Sequence, residues 1–405
     1  MISVTSNIEK LLILDGNIYA ENTVYEKGYI KIENGMITEM GDRSQLNDSE
    51  EYKVISLPHG YSVVPGMIDI HIHGVNGADT MDATREALDT MTGTLPKEGT
   101  TSFLATTMTE ASDAIEKALA ATADYMSNHQ RGGQAEILGL HLEGPFINAD
   151  KAGAQPLHRI QKPNVEVFKN WYALSGENIK LVTLAPELDD EYELIRYLKE
   201  NGIVASVGHS NATYDQVGKA IDAGLSHVTH LFNQMSGLHH REPGIVGASF
   251  LRKELMVELI SDGIHVRPEV VQLAFDQITD GRLILITDSM RAKCLKNGQY
   301  DLGGQMVTVK DGKAILDEDT LAGSVLKMRD AFTNIQEFTT GDMRSAIKMT
   351  AENPARQLNV FDRKGSLAPR KDADIVILDE NKDVYTTICK GKIAYIREDD
   401  THETN

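Results

Sequence analysis

Five apolar segments of this 405-residue chain each end in a side chain that can bind a metal ion. A buried strand of a parallel sheet reads as a short, continuous apolar run. Ligands at the ends of several such strands converge on one point only in a barrel-like sheet, whose carboxyl end then carries the site. The five runs are Ile68-Asp69-Ile70-His71-Ile72-His73, Ile137-Leu138-Gly139-Leu140-His141-Leu142-Glu143, Val204-Ala205-Ser206-Val207-Gly208-His209, His227-Val228-Thr229-His230 and Leu283-Ile284-Leu285-Ile286-Thr287-Asp288.

The central part of the chain alternates strand-like and helix-like patterns. Eight alternations over roughly 290 residues match the size of a closed (β/α)₈ barrel, an α/β fold of the TIM type. A hairpin pattern around Asp311-Gly312 follows the eighth run and is interpreted as an inserted ribbon. Strand-like runs lie near residues 67–70, 100–107, 136–142, 179–185, 202–207, 226–230, 255–261 and 282–287, and amphipathic stretches over 83–97, 110–126, 189–200 and 269–278.

Both ends of the chain show strand and hairpin patterns. Asn34-Gly35 separates two alternating runs, which predicts a hairpin. The C-terminal runs at 373–378, 384–388 and 392–396 are similar. The two ends would hide their apolar faces most simply by packing together, so we predict one small β-sandwich domain from residues 1–60 and 365–405, with the barrel at 61–364.

Composition excludes several classes of function. The formal net charge of -20 argues against nucleic acid as a partner, because phosphate would be repelled. Only two cysteines occur, so a disulfide framework is not expected and a reducing cytosol fits better. The segment Met1-Ile2-Ser3-Val4 has no basic or apolar signal region, and no apolar run approaches the roughly 20 residues of a membrane span. We therefore expect a soluble, cytoplasmic protein with no membrane partner.

The strand-end residues form a plausible ligand set for a divalent metal of borderline softness. Glu143, His209 and His230 supply one oxygen and two nitrogens and leave a position for water, as in catalytic zinc sites. His71 and His73 point to the same side at strand period two. Taken singly, His209 and His230 could be hydrogen-bonded core residues, and Glu143 a loop carboxylate facing water. His71 and His73 could be a pair of partly exposed histidines at a strand end.

Other residues near these strand ends have two readings each. Asp288 is either an N-cap of the following turn or the general base that takes a proton from water. Asn233 could bind hydroxyls. Arg241 could bind a phosphate with its planar fork, or form a surface ion pair with Glu242. His265 could bind a charged substrate group or be an ordinary loop histidine.

Two further histidines are interpreted as supporting residues. His141 shares a strand face with Glu143 by period two, which indicates either a partner of the ligands or a buried structural residue. His227 precedes His230 by three residues, so we place it on the other face of the strand, in a structural role.

At these motifs the chain resembles the amidohydrolase superfamily, and more narrowly the N-acetylglucosamine-6-phosphate deacetylases. The resemblance covers nearly the whole length. The first motif below is shared across the superfamily, and the Leu-Glu-Gly-Pro, Arg-Glu-Pro-Gly and Leu-Ala-Gly-Ser blocks are specific to the deacetylases. The motifs are Pro65-Gly66-Met67-Ile68-Asp69-Ile70-His71-Ile72-His73-Gly74, His141-Leu142-Glu143-Gly144-Pro145-Phe146, Gly208-His209-Ser210, Thr229-His230-Leu231-Phe232-Asn233, Arg241-Glu242-Pro243-Gly244, Asp262-Gly263-Ile264-His265, Thr287-Asp288 and Leu321-Ala322-Gly323-Ser324.

The resemblance implies a metal-dependent hydrolase of N-acetylglucosamine 6-phosphate, acting in amino-sugar catabolism and cell-wall recycling, with Asp288 as the catalytic residue. It implies one or two divalent ions per chain, with Zn²⁺ expected first and Fe²⁺, Mn²⁺ or Co²⁺ as alternatives. Some family members lack the His-x-His pair and use one metal; this chain keeps the pair. The implied ligands are Glu143, His209 and His230 for the principal ion, and His71 and His73, with Glu143 bridging, for a second.

The resemblance also implies how the amino-sugar phosphate is bound. Arg241 would reach across from a neighbouring subunit, which implies a homodimer. Many relatives carry a histidine, thought to polarise the acetyl carbonyl, in the loop where this chain has Gln155. A glutamine amide can donate a hydrogen bond but carries no charge. The residues implied to bind substrate are Gln155, Asn233, Gln234 through its backbone, Arg241, His265, Leu321, Ala322 and Gly323.

Two other functions remain open from the sequence. Cyclic amidases of the same superfamily usually bridge two metals with a carboxylated lysine on strand four, but here that strand ends Leu184-Ala185-Pro186-Glu187, without lysine. The second alternative is a non-catalytic binding protein that keeps the barrel. Such proteins lose metal-binding residues, whereas every expected type of metal-binding residue is present here.

Overall fold

The computed structural model describes residues 10–47, 50–317 and 320–398, and its centre is a barrel of eight strands. Each strand pairs in parallel with the next one along the chain, in the order one to eight. The predicted (β/α)₈ barrel is confirmed, including all eight strand positions. The barrel strands, numbered one to eight here, are Met67–Ile72, Thr100–Thr106, Glu136–Glu143, Ile179–Leu184, Val204–Val207, His227–Val228, Met256–Leu259 and Leu283–Leu285.

The seam between strand eight and strand one is closed mainly by single contacts. The backbone N–H of Asp288 donates to the carbonyl of His71 at 2.8 Å, and a bridge joins Ile72 to Ser289. The fully buried carboxylate of Asp69 accepts from the hydroxyl of Thr287 at 2.5 Å and from its backbone N–H at 3.3 Å. Asp69 therefore ties the first strand to the segment that carries Asp288.

Helices cover the outside of the barrel, and the four predicted amphipathic stretches all contain one. Their starts follow local capping chemistry: Thr213 and Gln216 form a reciprocal capping box, and the side chain of Asn164 accepts from the N–H of Val167. The helices are Arg85–Thr94, Ser112–Asn128, Val165–Leu174, Glu193–Glu200, Tyr214–Ala223, Gly244–Leu251, Pro268–Ile278, Met328–Phe338, Met343–Ile347 and Asn353–Gln357, with a π-helical segment Lys348–Glu352 between the last two.

Both chain ends join in one separate sheet of eight strands, as the alternating patterns predicted. Its pairings are antiparallel, except that Lys10–Tyr19 pairs in parallel with two short strands. The division at residues 60 and 365 stays a prediction, and the strand Ser62–Pro65 of this sheet lies just inside the predicted barrel segment. The sheet strands are Lys10–Tyr19, Val24–Glu33, Met36–Asp42, Lys53–Ser56, Ser62–Pro65, Ile375–Leu378, Val384–Cys389 and Lys392–Ile396.

The inserted ribbon has three strands, Gly298–Leu302, Gln305–Lys310 and Lys313–Ile315, of which the sequence predicted the last two. The side-chain amide of Gln305 donates to the carbonyl of Ala154 at 2.6 Å, so the ribbon is tied to a loop at the carboxyl end of the barrel. A two-stranded hairpin, Gly74–Val75 with Ala78–Asp79, follows the first barrel strand.

Within the described parts of the chain, no helix combines the length and the apolar character needed to cross a membrane. The segment Met1-Ile2-Ser3-Val4, on which part of the localisation prediction rested, lies outside the described residues.

Candidate metal centre and active site

Glu143 ends the third barrel strand and lies at the middle of the cluster of strand-end side chains. Its Oε1 is 3.3 Å from the Nε2 atoms of His71, His209 and His230. Its Oε2 is 3.2 Å from Nε2 of His73. The carboxylate is almost completely buried and belongs to a strand whose residues are all buried. One carboxylate thus touches all four histidines that the sequence predicted as ligands.

Glu143, His209 and His230 form a group whose ligand atoms have spacings suited to a small cation. The Nε2 atoms of the two histidines are 3.1 Å apart, and each is 3.3 Å from Glu143 Oε1. A tetrahedral zinc ion holds such ligands at about 2.0–2.2 Å, which separates neighbouring ligand atoms by about 3.3 Å. The three side chains therefore fit one ion with a fourth position open.

His71, His73 and Asp288 form a second group beside the first. Asp288 Oδ1 is 3.3 Å from Nε2 of His73 and 3.5 Å from Nε2 of His71. Among the described residues, the buried Nε2 of His71 has no hydrogen-bond partner. A buried polar atom is costly without a partner, and a cation would supply one. The donor set of this group, two imidazoles and a carboxylate with Glu143 shared, also suits a divalent ion.

Three of these residues occupy the left-handed backbone region, which non-glycine residues seldom adopt. The φ angles are 47° at His209, 29° at His230 and 47° at Asp288. All three follow directly after barrel strands, so the turn aims the side chain back over the strand ends. Such conformations cost of order 1–3 kcal/mol each and concentrate at functional sites.

Electrostatics in the cluster favour added positive charge. Burial alone would raise the pKa of Glu143 and of Asp288, but the charge of His71 and hydrogen bonds from the histidines lower both. Burial opposes charge on His73, yet hydrogen bonds to Asp288 and Glu143 raise its pKa to about 9. The carboxylates thus attract positive charge, which either protons on the imidazoles or a divalent cation can supply.

A cavity of about 200 Å³ opens directly above the centre. Its wall includes the whole first ligand group, Glu143, His209 and His230, and two members of the second, His73 and Asp288. Most of the residues that the resemblance implied for substrate binding also line it; these are Gln155, Asn233, Gln234, His265, Leu321 and Gly323. Two of the implied residues, Ala322 and Arg241, do not line the cavity.

Ala322 and Arg241 are outside the cavity for different reasons. Ala322 is fully buried in an apolar cluster with Met108 and Met290, and its backbone N–H donates to Ala314. Arg241 is exposed, and its guanidinium lies 2.8 Å from Nε2 of His240. The ion pair with Glu242 that the sequence left open is not among the ion pairs of the described residues. Within one chain, therefore, Arg241 does not contact the centre.

The amide of Gln155 has a defined orientation. Its Oε1 accepts from the backbone N–H of Thr109 at 2.9 Å, so the NH₂ group must face the other way. That group donates to Oε2 of Glu143, also at 2.9 Å. Gln155 is buried, and its Nε2 carries a second hydrogen that can serve a ligand in the cavity.

His265 and His141 illustrate the two readings that the sequence allowed for a histidine. Nδ1 of His265 lies 2.6 Å from Asp262, and although burial opposes the charge, this bond raises the pKa of His265. His141 bonds hydroxyls instead: Nε2 lies 2.7 Å from Thr183 and Nδ1 lies 3.5 Å from Thr106. Burial and the charge of His71 hold the pKa of His141 well below its usual range. His141 is thus a neutral residue beneath the centre.

The sequence analysis missed Glu258, which lies on strand seven inside the barrel. Its carboxylate is fully buried and contacts His71, His227 and the backbone N–H of His230. Burial would raise the pKa of Glu258, but the charge of His71 and the hydrogen bond from His227 lower it strongly. The available signal was a lone carboxylate inside the apolar run Met256-Val257-Glu258-Leu259.

The placement of His227 on the opposite strand face was wrong. Strand six ends at Val228, and the backbone then turns, so the period of two does not continue to His230. Nε2 of His227 lies 3.1 Å from Glu258 inside the barrel. Its structural role, beneath the centre and outside both ligand groups, agrees with the prediction.

Glu187 follows strand four, where the cyclic amidases carry a lysine. Its carboxylate accepts from the side chains of Asn148 at 2.8 Å and Ser210 at 2.6 Å, and from the N–H of Asn211 at 2.7 Å. These bonds hold the loop next to His209. Glu187 therefore supports the centre from outside and does not bridge it.

Comparison with known proteins supports the same fold and identifies the family. The model of the amidohydrolase family matches residues 62–394. The chain is 48% identical to an N-acetylglucosamine-6-phosphate deacetylase of Bacillus subtilis, over 96% of this chain and 98% of that protein. It is 38% identical to an N-acetylgalactosamine-6-phosphate deacetylase of Escherichia coli O157:H7, over 82% and 87%.

A solved structure gives the same result. The crystal structure of N-acetylglucosamine-6-phosphate deacetylase from Thermotoga maritima superposes with a TM-score of 0.85 at 33% identity, covering 96% of this chain and 100% of that one. The chain therefore belongs to the amidohydrolase family, in the branch that contains the N-acetylglucosamine-6-phosphate deacetylases.

Proposed function

We propose that this protein hydrolyses the acetamide of N-acetylglucosamine 6-phosphate to glucosamine 6-phosphate and acetate. The observation that carries the proposal is the position of Asp288: an ionised carboxylate on the cavity wall, beside a group of ligands centred on Glu143. Hydrolysis of an unactivated amide needs a base for water and an acid for the departing amine, and one carboxylate can serve as both. The activities named for the relatives support the choice of substrate.

Asp288 carries the proton in this scheme. Its lowered pKa leaves the carboxylate ionised at neutral pH, ready to accept a proton from water in the cavity as the water oxygen attacks the acetamide carbon. The protonated Asp288 then donates to the amine nitrogen as its bond to the acetyl carbon breaks.

We propose that one or two divalent ions, with Zn²⁺ expected first, bind to Glu143, His209 and His230 and to His71, His73 and Asp288. Such an ion supplies Lewis acidity, which makes water acidic near neutral pH and stabilises developing negative charge. Two observations support this assignment: the ligand spacings fit an ion, and Nε2 of His71 has no hydrogen-bond partner in the part of the chain that the structure describes.

Gln155 is proposed to contact the acetyl oxygen. The bond from Thr109 fixes its carbonyl end, so the NH₂ group stays directed toward Glu143 and the cavity. A neutral donor that is already oriented costs little reorganisation when charge develops on the oxygen. Gln155 provides less electrostatic stabilisation than a charged histidine would. A bound ion would therefore have to supply more of the stabilisation of the developing negative charge.

The sugar phosphate is proposed to bind at the outer part of the cavity. His265, held by Asp262 with a raised pKa, can donate to a phosphate oxygen, and Asn233 and the backbone of Gln234 can bind the sugar. Arg241 is exposed and away from the cavity of its own chain, which fits the proposal that it serves the neighbouring site of a homodimer. A cytoplasmic location is proposed with this substrate.

Acetate release from N-acetylglucosamine 6-phosphate by the purified protein, with bound metal quantified in the same sample, tests the proposal. We expect turnover with one or two ions per chain. N-acetylgalactosamine 6-phosphate serves as the comparison substrate, because one relative is named for it. Bound metal without acetate release from the glucosamine substrate would contradict the proposed substrate while leaving the metal centre intact.

A further inference from the structure

Glu258 is a carboxylate beneath the centre that the proposed chemistry does not use. It lies on strand seven and is fully buried. Its Oε2 is 3.0 Å from Nδ1 of His71 and accepts from the backbone N–H of His230 at 3.1 Å. Its Oε1 is 3.1 Å from Nε2 of His227. One buried side chain therefore connects the two groups of candidate ligands from below.

The contact with His71 determines which ring nitrogen is available to a metal. An ionised carboxylate only accepts hydrogen bonds, so it keeps the proton of a neutral imidazole on Nδ1. The lone pair is then on Nε2, the atom that faces Glu143 and Asp288 and has no hydrogen-bond partner within the described parts of the chain. Without the carboxylate, the other tautomer would direct an N–H at the position of the ion.

His71 is distinct among the four histidines in having this charged partner. Nδ1 of His209 contacts the backbone carbonyl of Lys151 at 2.8 Å. The Nδ1 atoms of His73 and His230 have no hydrogen-bond partner among the described residues. A carboxylate on the far nitrogen makes the ligand nitrogen more basic than a carbonyl does, so the effect of Glu258 falls mainly on the group that contains His71.

We infer that Glu258 is a positioning residue that commits Nε2 of His71 to metal binding, and that it thereby sets the affinity of the His71, His73 and Asp288 group for a divalent ion. The inference rests on the proposed metal chemistry of the site. Removing the charge of Glu258 should therefore weaken the binding of the second ion. The affinity for the ion held by Glu143, His209 and His230 should stay nearly unchanged.

Titration of the metal-free protein with Co²⁺, followed by equilibrium dialysis and visible absorption, tests the inference with Glu258→Gln. We expect the wild type to bind two ions per chain. In the variant the first ion should bind within about twofold of wild type, and the second about 10- to 100-fold more weakly, the usual cost of losing such a partner. If this variant does not fold, Glu258→Asp is titrated in its place: it keeps the charge but shortens the side chain by one methylene, so it loses the 3.0 Å contact with Nδ1 of His71, and the binding of the second ion should again be weakened more than that of the first.

Glu136→Gln is the matched control. Glu136 is a buried glutamate at the opposite end of the strand that carries Glu143, so the same substitution there should leave both affinities unchanged. Three outcomes would overturn the inference: an unchanged second affinity in the Glu258 variant, equal weakening of both ions, or a wild type that saturates with one ion. Acetate release is measured separately, so a wrong substrate and a wrong role for Glu258 give different results.

Discussion

Glu136 offers a sharp test of how the barrel is joined to the sheet made by the chain ends. This carboxylate begins strand three, at the end of the barrel away from the centre. Arg363 binds both of its oxygens at 3.0 Å, Lys364 contacts it at 2.7 Å, and Lys390, in the turn before the last strand of the sheet, lies at 3.0 Å. The buried amine of Lys364 also contacts Asp372 at 3.1 Å. Lys364 thus lies among three carboxylates, those of Glu136, Asp372 and Asp374, whose oxygen atoms are otherwise spaced like a cation site.

The size of the contribution follows from the pKa of Glu136. Burial raises it, but Lys364 and Arg363 outweigh burial and lower it from 4.5 to about 2. At about 1.4 kcal/mol per pKa unit, the ionised carboxylate stabilises the folded state by about 3 kcal/mol. Because the folded pKa is depressed, this contribution is complete above pH 4.5 and is lost as the pH falls through 2.

Glu136→Gln removes the charge and keeps the shape. We expect the free energy of unfolding to fall by about 3 kcal/mol at pH 7, measured by urea denaturation against wild type. The difference should stay constant down to pH 5 and shrink at pH 4 and pH 3. A loss below about 0.5 kcal/mol at pH 7, the range of ordinary surface substitutions, would refute the reasoning, as would a difference that does not change with pH.

Two further substitutions address the site, and a third addresses the seam of the barrel. Asp288→Asn should lower kcat by about 10²- to 10⁴-fold, because the amide cannot take a proton from water, while the ion held by Glu143, His209 and His230, quantified on the same sample, stays bound. Normal turnover would remove Asp288 from the mechanism. Arg241→Ala should raise KM for the phosphorylated sugar far more than for N-acetylglucosamine, since it loses a phosphate contact, and equal effects on both would exclude that contact. Asp69→Asn should lower the free energy of unfolding by about 1–3 kcal/mol in urea titrations, because a donor of Thr287 or His71 loses its acceptor. An unchanged midpoint would show that the seam does not depend on Asp69.

The barrel could be predicted from the sequence because buried parallel strands give short, continuous apolar runs that are easy to recognise. Most of the eight runs were rich in apolar residues, and five ended in a side chain that can bind a metal ion. The side chains of Glu143 and Asp288 therefore met where the strand ends meet. The first of the three ribbon strands, Gly298–Leu302, was not predicted because its five residues mix polar and apolar types without a clear alternation.

Two kinds of site residue could not be predicted for physical reasons. The contacts of Glu258 form only when the closed barrel brings residues of strands one, six and seven together in its interior, so no local pattern specified its partners. The position of His227 depended on where strand six ends, and a turn at His230 altered the expected period.

The seam tied by Asp69 has a consequence for how the enzyme is made. Its two sides are 218 residues apart in the sequence, and they carry His71 on one side and Asp288 on the other. During synthesis the first histidines emerge long before their carboxylate partner, so no partly built ring can hold the complete set. Catalytic activity should then appear in a single step, when the last barrel strand docks against the first. The onset of activity therefore marks closure of the barrel.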